Sequence, residues 1–417
     1  MKKLVVIGAG MASGRLLDHL TREHASFEVT LFNAEPRGTY NRIMLSSVLA
    51  GEKNLDEIIT HPAAWYEARG IICRFGEEVI GIDPKGKTVF GEKGPVRYDK
   101  LVIATGSSSF IIPIEGCRLD GVIGYRDVED TLRMIESAGK SVRDVVVIGG
   151  GVLGLEAAAG LCARGAHVTV LHNTSYLMNR QLDEVAAGFL RSAIEARGIS
   201  VICGAKTQGI LGDYGKVTAV EVEGISPIKA DLVVMAAGIR PNVDLAKAAG
   251  LDMGRAIKVN ASLQTSDPDI YALGECIEFQ DQTFGLVAPI FEQAKVLSER
   301  LLGRNARFEI KKASTKLKVT GCDLFSAGDF DEDEGTESLV YTDPLNAQYR
   351  KVVLKENRVH GVVLYGDTRD GNWFFDLVQS KTDISSIRDT LLFGPAYQDL
   401  DLASADPQPA EQLRAIA

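Results

Sequence analysis

The stretch Leu4-Val-Val-Ile-Gly-Ala-Gly-Met-Ala-Ser-Gly14 decides how this chain is read. A short apolar, β-branched run suits a buried strand. It enters a GxG turn directly, and helix-forming residues follow. Val145-Val-Val-Ile-Gly-Gly-Gly-Val-Leu-Gly-Leu-Glu156 repeats the arrangement. Strand, glycine turn and helix in this order separate a dinucleotide fingerprint from a chance glycine cluster. The first glycine of each turn (Gly8, Gly149) permits the tight bend. The second (Gly10, Gly151) lets the backbone approach a pyrophosphate, and the helix N-terminus supplies amide donors. Two such turns imply two dinucleotides bound in one chain. The simplest chemistry that uses both is hydride passage from a nicotinamide to a flavin.

A chain of 417 residues implies two or three domains. Its 45% hydrophobic and 24% charged residues are those of an ordinary globular protein. A net charge of −10 argues against nucleic acid or an anionic membrane as partner. Cysteines stand at 73, 117, 162, 203, 276 and 322, with no CxxC and no metal-ligand spacing. They read as reduced thiols in the cytoplasm, and no pair is placed to relay electrons to a disulfide. Met1-Lys-Lys and the apolar run after it mimic a secretory leader. Cleavage there would remove the first glycine turn, so the stretch reads as a strand. Residues 145–163 mimic a membrane span, but three successive glycines and Glu156 argue for strand, turn and helix.

The pattern along the chain is duplicated. Each half opens on a glycine turn and closes on a buried strand ending in glycine: Leu101-Val-Ile-Ala-Thr-Gly106 and Leu232-Val-Val-Met-Ala-Ala-Gly238. Residues 33–60 read as polar loop. Antiparallel meanders are expected at 71–90 and 199–229. From about 313, alternating runs predict antiparallel strands, with helices at 371–381 and 383–391. The fold class is therefore α/β, with two Rossmann-like domains and a C-terminal α+β domain. Residues 1–115 and 245–310 form one dinucleotide domain and 116–244 the other. Residues 311–400 form the C-terminal domain, and 401–417 a flexible tail.

Within the first turn, the usual third glycine is replaced by Ser13, a residue still small enough for close helix–strand packing. An acid should follow the second strand to bind a ribose hydroxyl. The strand ends at Asn33, and the nearest acid is Glu35. The second turn is complete at Gly149, Gly151 and Gly154, but its strand ends at His172. No carboxylate there rejects a 2′-phosphate, and no arginine pair binds one. NADH and NADPH both remain open. Glu156 sits on the first helical turn, where it is expected beside the nicotinamide carboxamide.

Ala104-Thr-Gly106, Ala237-Gly-Ile-Arg-Pro241 and Thr265-Ser-Asp-Pro-Asp-Ile-Tyr-Ala-Leu-Gly-Glu275 join the paired turns in resembling two-dinucleotide flavoprotein reductases of the pyridine nucleotide-disulfide oxidoreductase superfamily. Glu35-Pro-Arg-Gly-Thr-Tyr-Asn-Arg-Ile-Met-Leu-Ser-Ser47, Tyr176-Leu-Met-Asn-Arg-Gln-Leu-Asp183 and Phe284-Gly-Leu-Val-Ala-Pro289 are similar to the flavoprotein part of assimilatory NADH-nitrite reductase large subunits. They equally resemble electron-transfer subunits of assimilatory nitrate reductases. The resemblance implies FAD on the first turn. Glu275 would hold the ribityl chain beside Gly274. Arg42, Thr105 and Gly106 would flank the FAD, with Val287 and Ala288 near its ring. Gly238 would border the nicotinamide nucleotide. Ferredoxin-type reductases of this fold carry a lysine where Ser47 stands, which favours the nitrite-reductase-like branch. The large subunits continue into cysteine-rich iron–sulfur and sirohaem modules, which this sequence lacks.

These expectations converge on an FAD-dependent NAD(P)H oxidoreductase. The electron acceptor is a separate redox protein: a nitrate or nitrite reductase, or alternatively a ferredoxin, rubredoxin or haem protein. A flavin-bearing redox sensor or interaction module is the reading from another class. The acidic run Gly328–Gly335 is expected to be a solvated loop or a dock for a basic partner.

Overall fold

Residues Lys2–Ile7 alternate nothing: four successive side chains, Leu4 to Ile7, are buried, as in a strand covered on both faces. The computed structural model describes residues 1–139, 144–310, 314–319 and 321–397. The expected tail at 401–417 lies outside them. In this structure Lys2–Ile7 is the centre of a five-stranded parallel sheet. Phe27–Asn33 and then Ile72–Phe75 lie to one side, Lys100–Ile103 and then Ile270–Ala272 to the other. The second sheet repeats this plan around Asp144–Ile148. Its flanks are His167–Leu171 and Ser200–Ile202, and Leu232–Met235 and Val122–Gly124. The duplication thus holds at the level of strand order. In each sheet the fifth strand comes from outside the repeat, 270–272 from after the second half and 122–124 from before it.

Two expectations change in the same way. The strands at 72–75 and 200–202 extend the parallel sheets and are not the first strands of the meanders. The meanders are Val79–Asp83, Thr88–Gly91 and Gly94–Arg97, and Thr207–Asp213, Lys216–Val222 and Ile228–Lys229. Short apolar runs do not reveal their partners, and only tertiary pairing assigns them. The expected loop at 33–60 also contains structure. Arg42–Met44 is a 3-10 turn and Leu45–Ala50 a helix that buries Leu45, Val48 and Leu49. Gly51, at φ 80°, ends that helix in the left-handed region.

Both sheets belong to one compact unit, residues 1–177 and 194–311. Ser107–Ser109 pairs with Ile239–Pro241 where the chain crosses between the halves. The second unit, residues 178–193 and 312–417, holds a five-stranded antiparallel sheet. Its order is Thr315–Val319, Cys322–Gly328, Arg358–Tyr365, Gln348–Lys355, Thr336–Asp343, and helix Gly371–Ser380 carries buried Phe374 and Val378. Phe189 stacks on Tyr365 at 5.6 Å, and the Tyr349 hydroxyl donates to Asp183 at 2.5 Å. The acidic run is not only solvated: Glu332 lies 3.0 Å from Lys351, a buried ammonium that needs a counter-charge. Among the described residues, no helix is long and apolar enough to cross a membrane.

Candidate functional site

The two glycine turns have the same construction. Gly8 and Gly149 take φ values of 102° and 129°. A Cβ on either would lie 2.3 Å from a carbonyl oxygen, of Ala104 and Ala236 respectively. Only glycine fits such a backbone. Their amides donate to Phe32 O and Leu171 O, each at 2.8 Å. Gly10 and Gly151 are different. Both are extended helix N-caps at φ −76° and −87°, and a Cβ on either would meet nothing within 4 Å. The protein therefore leaves open the space in front of these two amides, where a diphosphate would approach the helix N-terminus.

Position three explains the imperfect first fingerprint. A Cβ on Gly154 would come within 1.9 Å of Gly149 O, so the second half requires glycine. At the matching place Ser13 is fully buried, and its hydroxyl donates to Gly10 O at 3.0 Å. Next to it, Gly14 makes room for Thr39, which donates to Ala9 O at 2.9 Å. Thr39 was not apparent from sequence, because nothing in its neighbourhood marks a residue that returns to the turn.

Glu35 is fitted for a sugar diol. Its Oε1 accepts from Tyr40 at 3.1 Å and faces Arg42 at 3.4 Å. Its Oε2 is buried with no hydrogen-bond partner, and Arg37 stands 3.9 Å off. Burial pushes the Glu35 carboxyl above its ordinary value, with Arg42 pulling against it. An orphaned buried acceptor of this kind is costly unless a ligand satisfies it. With open Gly10 beside it, the first half fits an adenine dinucleotide.

From Glu35 a polar chain runs across the unit. Arg42 donates to Arg126 O at 2.9 Å, and the Arg126 guanidinium pairs with Glu275. Ser107 also donates to Glu275, at 2.6 Å. Burial lowers the Arg126 pKa, opposed by Glu275. Arg126 and Ser107 were missed by sequence reading. Neither sits in a motif, and Arg126 lies 149 positions from its partner. Gly274, at φ 92°, donates its amide to the buried Gln293 at 2.8 Å, leaving Gln293 Nε2 without a partner. Thr105 and Gly106 are tied to the crossing strand: Thr105 Oγ1 donates to Asn242 O, and Asn242 N to Gly106 O. Val287 and Ala288 open helix Val287–Leu301 at a partly exposed N-terminus. Gly238 is exposed at φ 112°.

In the second half, Glu156 faces helix Leu45–Ala50, which packs so tightly that a Cβ on Gly160 would sit 2.7 Å from Leu49. Burial pushes the Glu156 carboxyl up to about 7, and the Ser46 hydroxyl draws it back only in part. Its folded pKa exceeds the unfolded one. Stability is therefore full below the unfolded value of 4.5 and is lost as pH rises through about 7. Glu156→Gln fixes the neutral form. It is expected to flatten the pH dependence of stability between about pH 5 and 8, and to be more stable than wild type at pH 8 by on the order of 3 kcal/mol. Parallel Tm profiles would refute this.

His172 is buried, at 8% exposure. Its Nδ1 accepts the Gly150 amide at 3.1 Å, and its Nε2 lies 2.7 Å from Thr174 Oγ1. Cys276 is fully buried and bonded to Leu273 O at 3.3 Å, and burial raises its thiol pKa. No group of three or more His, Cys, Asp or Glu among the described residues is arranged to hold a metal.

Comparison with known proteins gives consistent relatives. Residues 2–296 match the pyridine nucleotide-disulphide oxidoreductase family, and residues 314–382 the rubredoxin NAD+ reductase C-terminal domain. The chain is 41% identical to a Bacillus subtilis nitrite reductase using NAD(P)H, over 95% of this chain and 50% of that protein. It is 39% identical to a B. subtilis assimilatory nitrate reductase electron transfer subunit, over 96% and 52%. The chain thus spans about half the length of these relatives. NADH:rubredoxin oxidoreductase from Clostridium acetobutylicum superposes with a TM-score of 0.78 at 25% identity, covering 94% of this chain and 99% of that one.

Proposed function

We propose, for a chain that belongs to the pyridine nucleotide-disulphide oxidoreductase family, the role of an FAD-dependent NAD(P)H oxidoreductase that supplies electrons to a separate redox protein. One observation carries the reading: two glycine turns alike in the backbone of their first and second glycines stand in one compact unit, each open at its second glycine. Bound FAD would supply the redox chemistry, two-electron exchange with NAD(P)H and one-electron exchange with an acceptor. The chain's own residues bind and orient. Gly8, Gly10 and Ser13 shape the FAD turn, and Glu35 takes the adenosine ribose. Arg42, Thr105, Gly106, Gly274, Val287 and Ala288 border the rest of the FAD. Gly149, Gly151, Gly154 and Gly238 border the nicotinamide nucleotide. Glu156 is a half-buried carboxyl at the nicotinamide end that holds a proton near neutrality.

Glu275 and Arg126 form the hinge of this proposal. Removing Glu275 leaves the part-buried Arg126 guanidinium without its counter-charge. Glu275→Ala is expected to lose FAD during purification, and unchanged flavin occupancy would refute its role. The acceptor is an assimilatory nitrate or nitrite reductase, supported by the two B. subtilis relatives. A rubredoxin is the alternative, supported by the match at 314–382. Ferredoxin and haem proteins belong to the same electron-accepting class. The cytoplasm is the proposed location. The test is stopped-flow mixing with NADH and with NADPH, without added thiol. Flavin bleaching supports the reading, and a purified chain that retains no flavin sinks it.

A further inference from the structure

The two halves can be compared position by position, and the comparison assigns a role to the residues that end their second strands. In the first half Asn33 ends the strand, and its Oδ1 accepts the Ala9 amide at 3.3 Å while its Nδ2 donates to Arg37 O at 2.8 Å. In the second half His172 ends the strand, and its Nδ1 accepts the Gly150 amide at 3.1 Å. Ala9 and Gly150 are equivalent: each is the middle residue of its GxG. An Nδ1 that accepts leaves the proton of a neutral imidazole on Nε2. That N–H points to Thr174 Oγ1 at 2.7 Å, and the threonine hydroxyl donates onward to Tyr176 O at 3.0 Å. The ring is thus held from both ends inside the turn.

We propose that His172 is the strut of the second glycine turn, set there to hold the Gly150 amide, and that it does not read the 2′ position of the nicotinamide cofactor. The inference rests on the second turn being the NAD(P)H site. It accounts for a difference between the two fingerprints that nothing else explains. The first turn is Gly-Ala-Gly and the second Gly-Gly-Gly. A Cβ on Gly150 would lie 2.8 Å from His172 Cγ and 2.5 Å from Leu177 Cδ2. The Leu177 contact is the end of a flexible side chain and yields easily. The imidazole, held at both nitrogens, does not. In the first half the buried Ala9 holds the equivalent place, with Asn33 on its amide. Each half thus pairs one strand-end side chain with the middle amide of its turn, Asn33 with Ala9 and His172 with Gly150. His172 acts as a positioning residue, and the carboxylate that stands two positions beyond the strand end in the first half, Glu35, is Thr174 in the second. Neither the strand end nor that position places a negative charge against a 2′-phosphate.

The test uses the FAD-loaded protein and measures Kd for NADH and NADPH by titration. His172→Ala is expected to weaken both by the same factor, roughly tenfold, the effect of orphaning a buried amide. His172→Asn, which copies the first half, stays within about threefold of wild type. Gly150→Ala, which drives a methyl against the His172 ring, is expected to weaken both nucleotides together by roughly tenfold or more. A change of more than about threefold in the NADH-to-NADPH ratio for either His172 variant would overturn the proposal. Unchanged affinity for both nucleotides in His172→Ala would also overturn it. If the wild-type protein binds neither nucleotide, the oxidoreductase reading itself fails, which is a separate result.

Discussion

Gly151→Val is expected to fold, keep its FAD and lose reduction by NADH and NADPH by about 100-fold or more, equivalent to roughly 3 kcal/mol. The expectation comes from two facts. Gly151 has ordinary extended backbone, φ −87° and ψ −178°, which valine adopts without strain. A Cβ there would meet nothing within 4 Å beyond its chain neighbours, so the branch point of the new side chain enters open space. What the branched side chain fills is the space before the N-terminus of helix Val152–Ala163. A diphosphate needs that space to reach the helix amides, and charge-assisted bonds to them are the strong ones. Stopped-flow reduction and visible flavin absorption read the two halves separately. Wild-type reduction rates at wild-type flavin content would remove the second turn from the nucleotide site.

Gly10→Val makes the same change in the first half, with a different outcome. Gly10 is also extended, φ −76° and ψ −176°, with nothing within 4 Å of its Cβ. The purified protein should be colourless, with a far-ultraviolet spectrum like that of wild type. Activity should be absent because flavin is absent. The contrast with Gly8 sharpens the point. A Cβ there meets Ala104 O at 2.3 Å in a left-handed backbone, so damage to the fold would accompany loss of flavin. A yellow, active Gly10→Val protein would refute placement of FAD on the first turn.

Part of this was legible because it is local. Glycine in each turn answers to the strand, bend and helix immediately around it, so spacing alone reveals the motif. The buried runs at 101–103 and 232–235 were equally clear, since a strand covered on both faces is continuously apolar. Strand partners were less clear. The short runs at 72–75 and 200–202 look like meander strands until the sheet claims them. The helix Leu45–Ala50 was hidden among polar neighbours, though Leu45, Val48 and Leu49 carry a helical spacing.

The sequence by itself determined two dinucleotide turns and the choice of glycine within them. Those depend on backbone sterics over about ten residues. Only the tertiary structure decided what surrounds the turns. Arg126 meets Glu275 from 149 residues away. The Glu156 carboxyl is half-buried against a helix drawn from the other half, with Ser46 beside it. Glu35 is left with one unsatisfied oxygen. His172, which by spacing stands where a ribose acid belongs, has its ring turned onto the Gly150 amide. Side-chain direction at a strand end depends on what packs beneath it, and no periodicity records that.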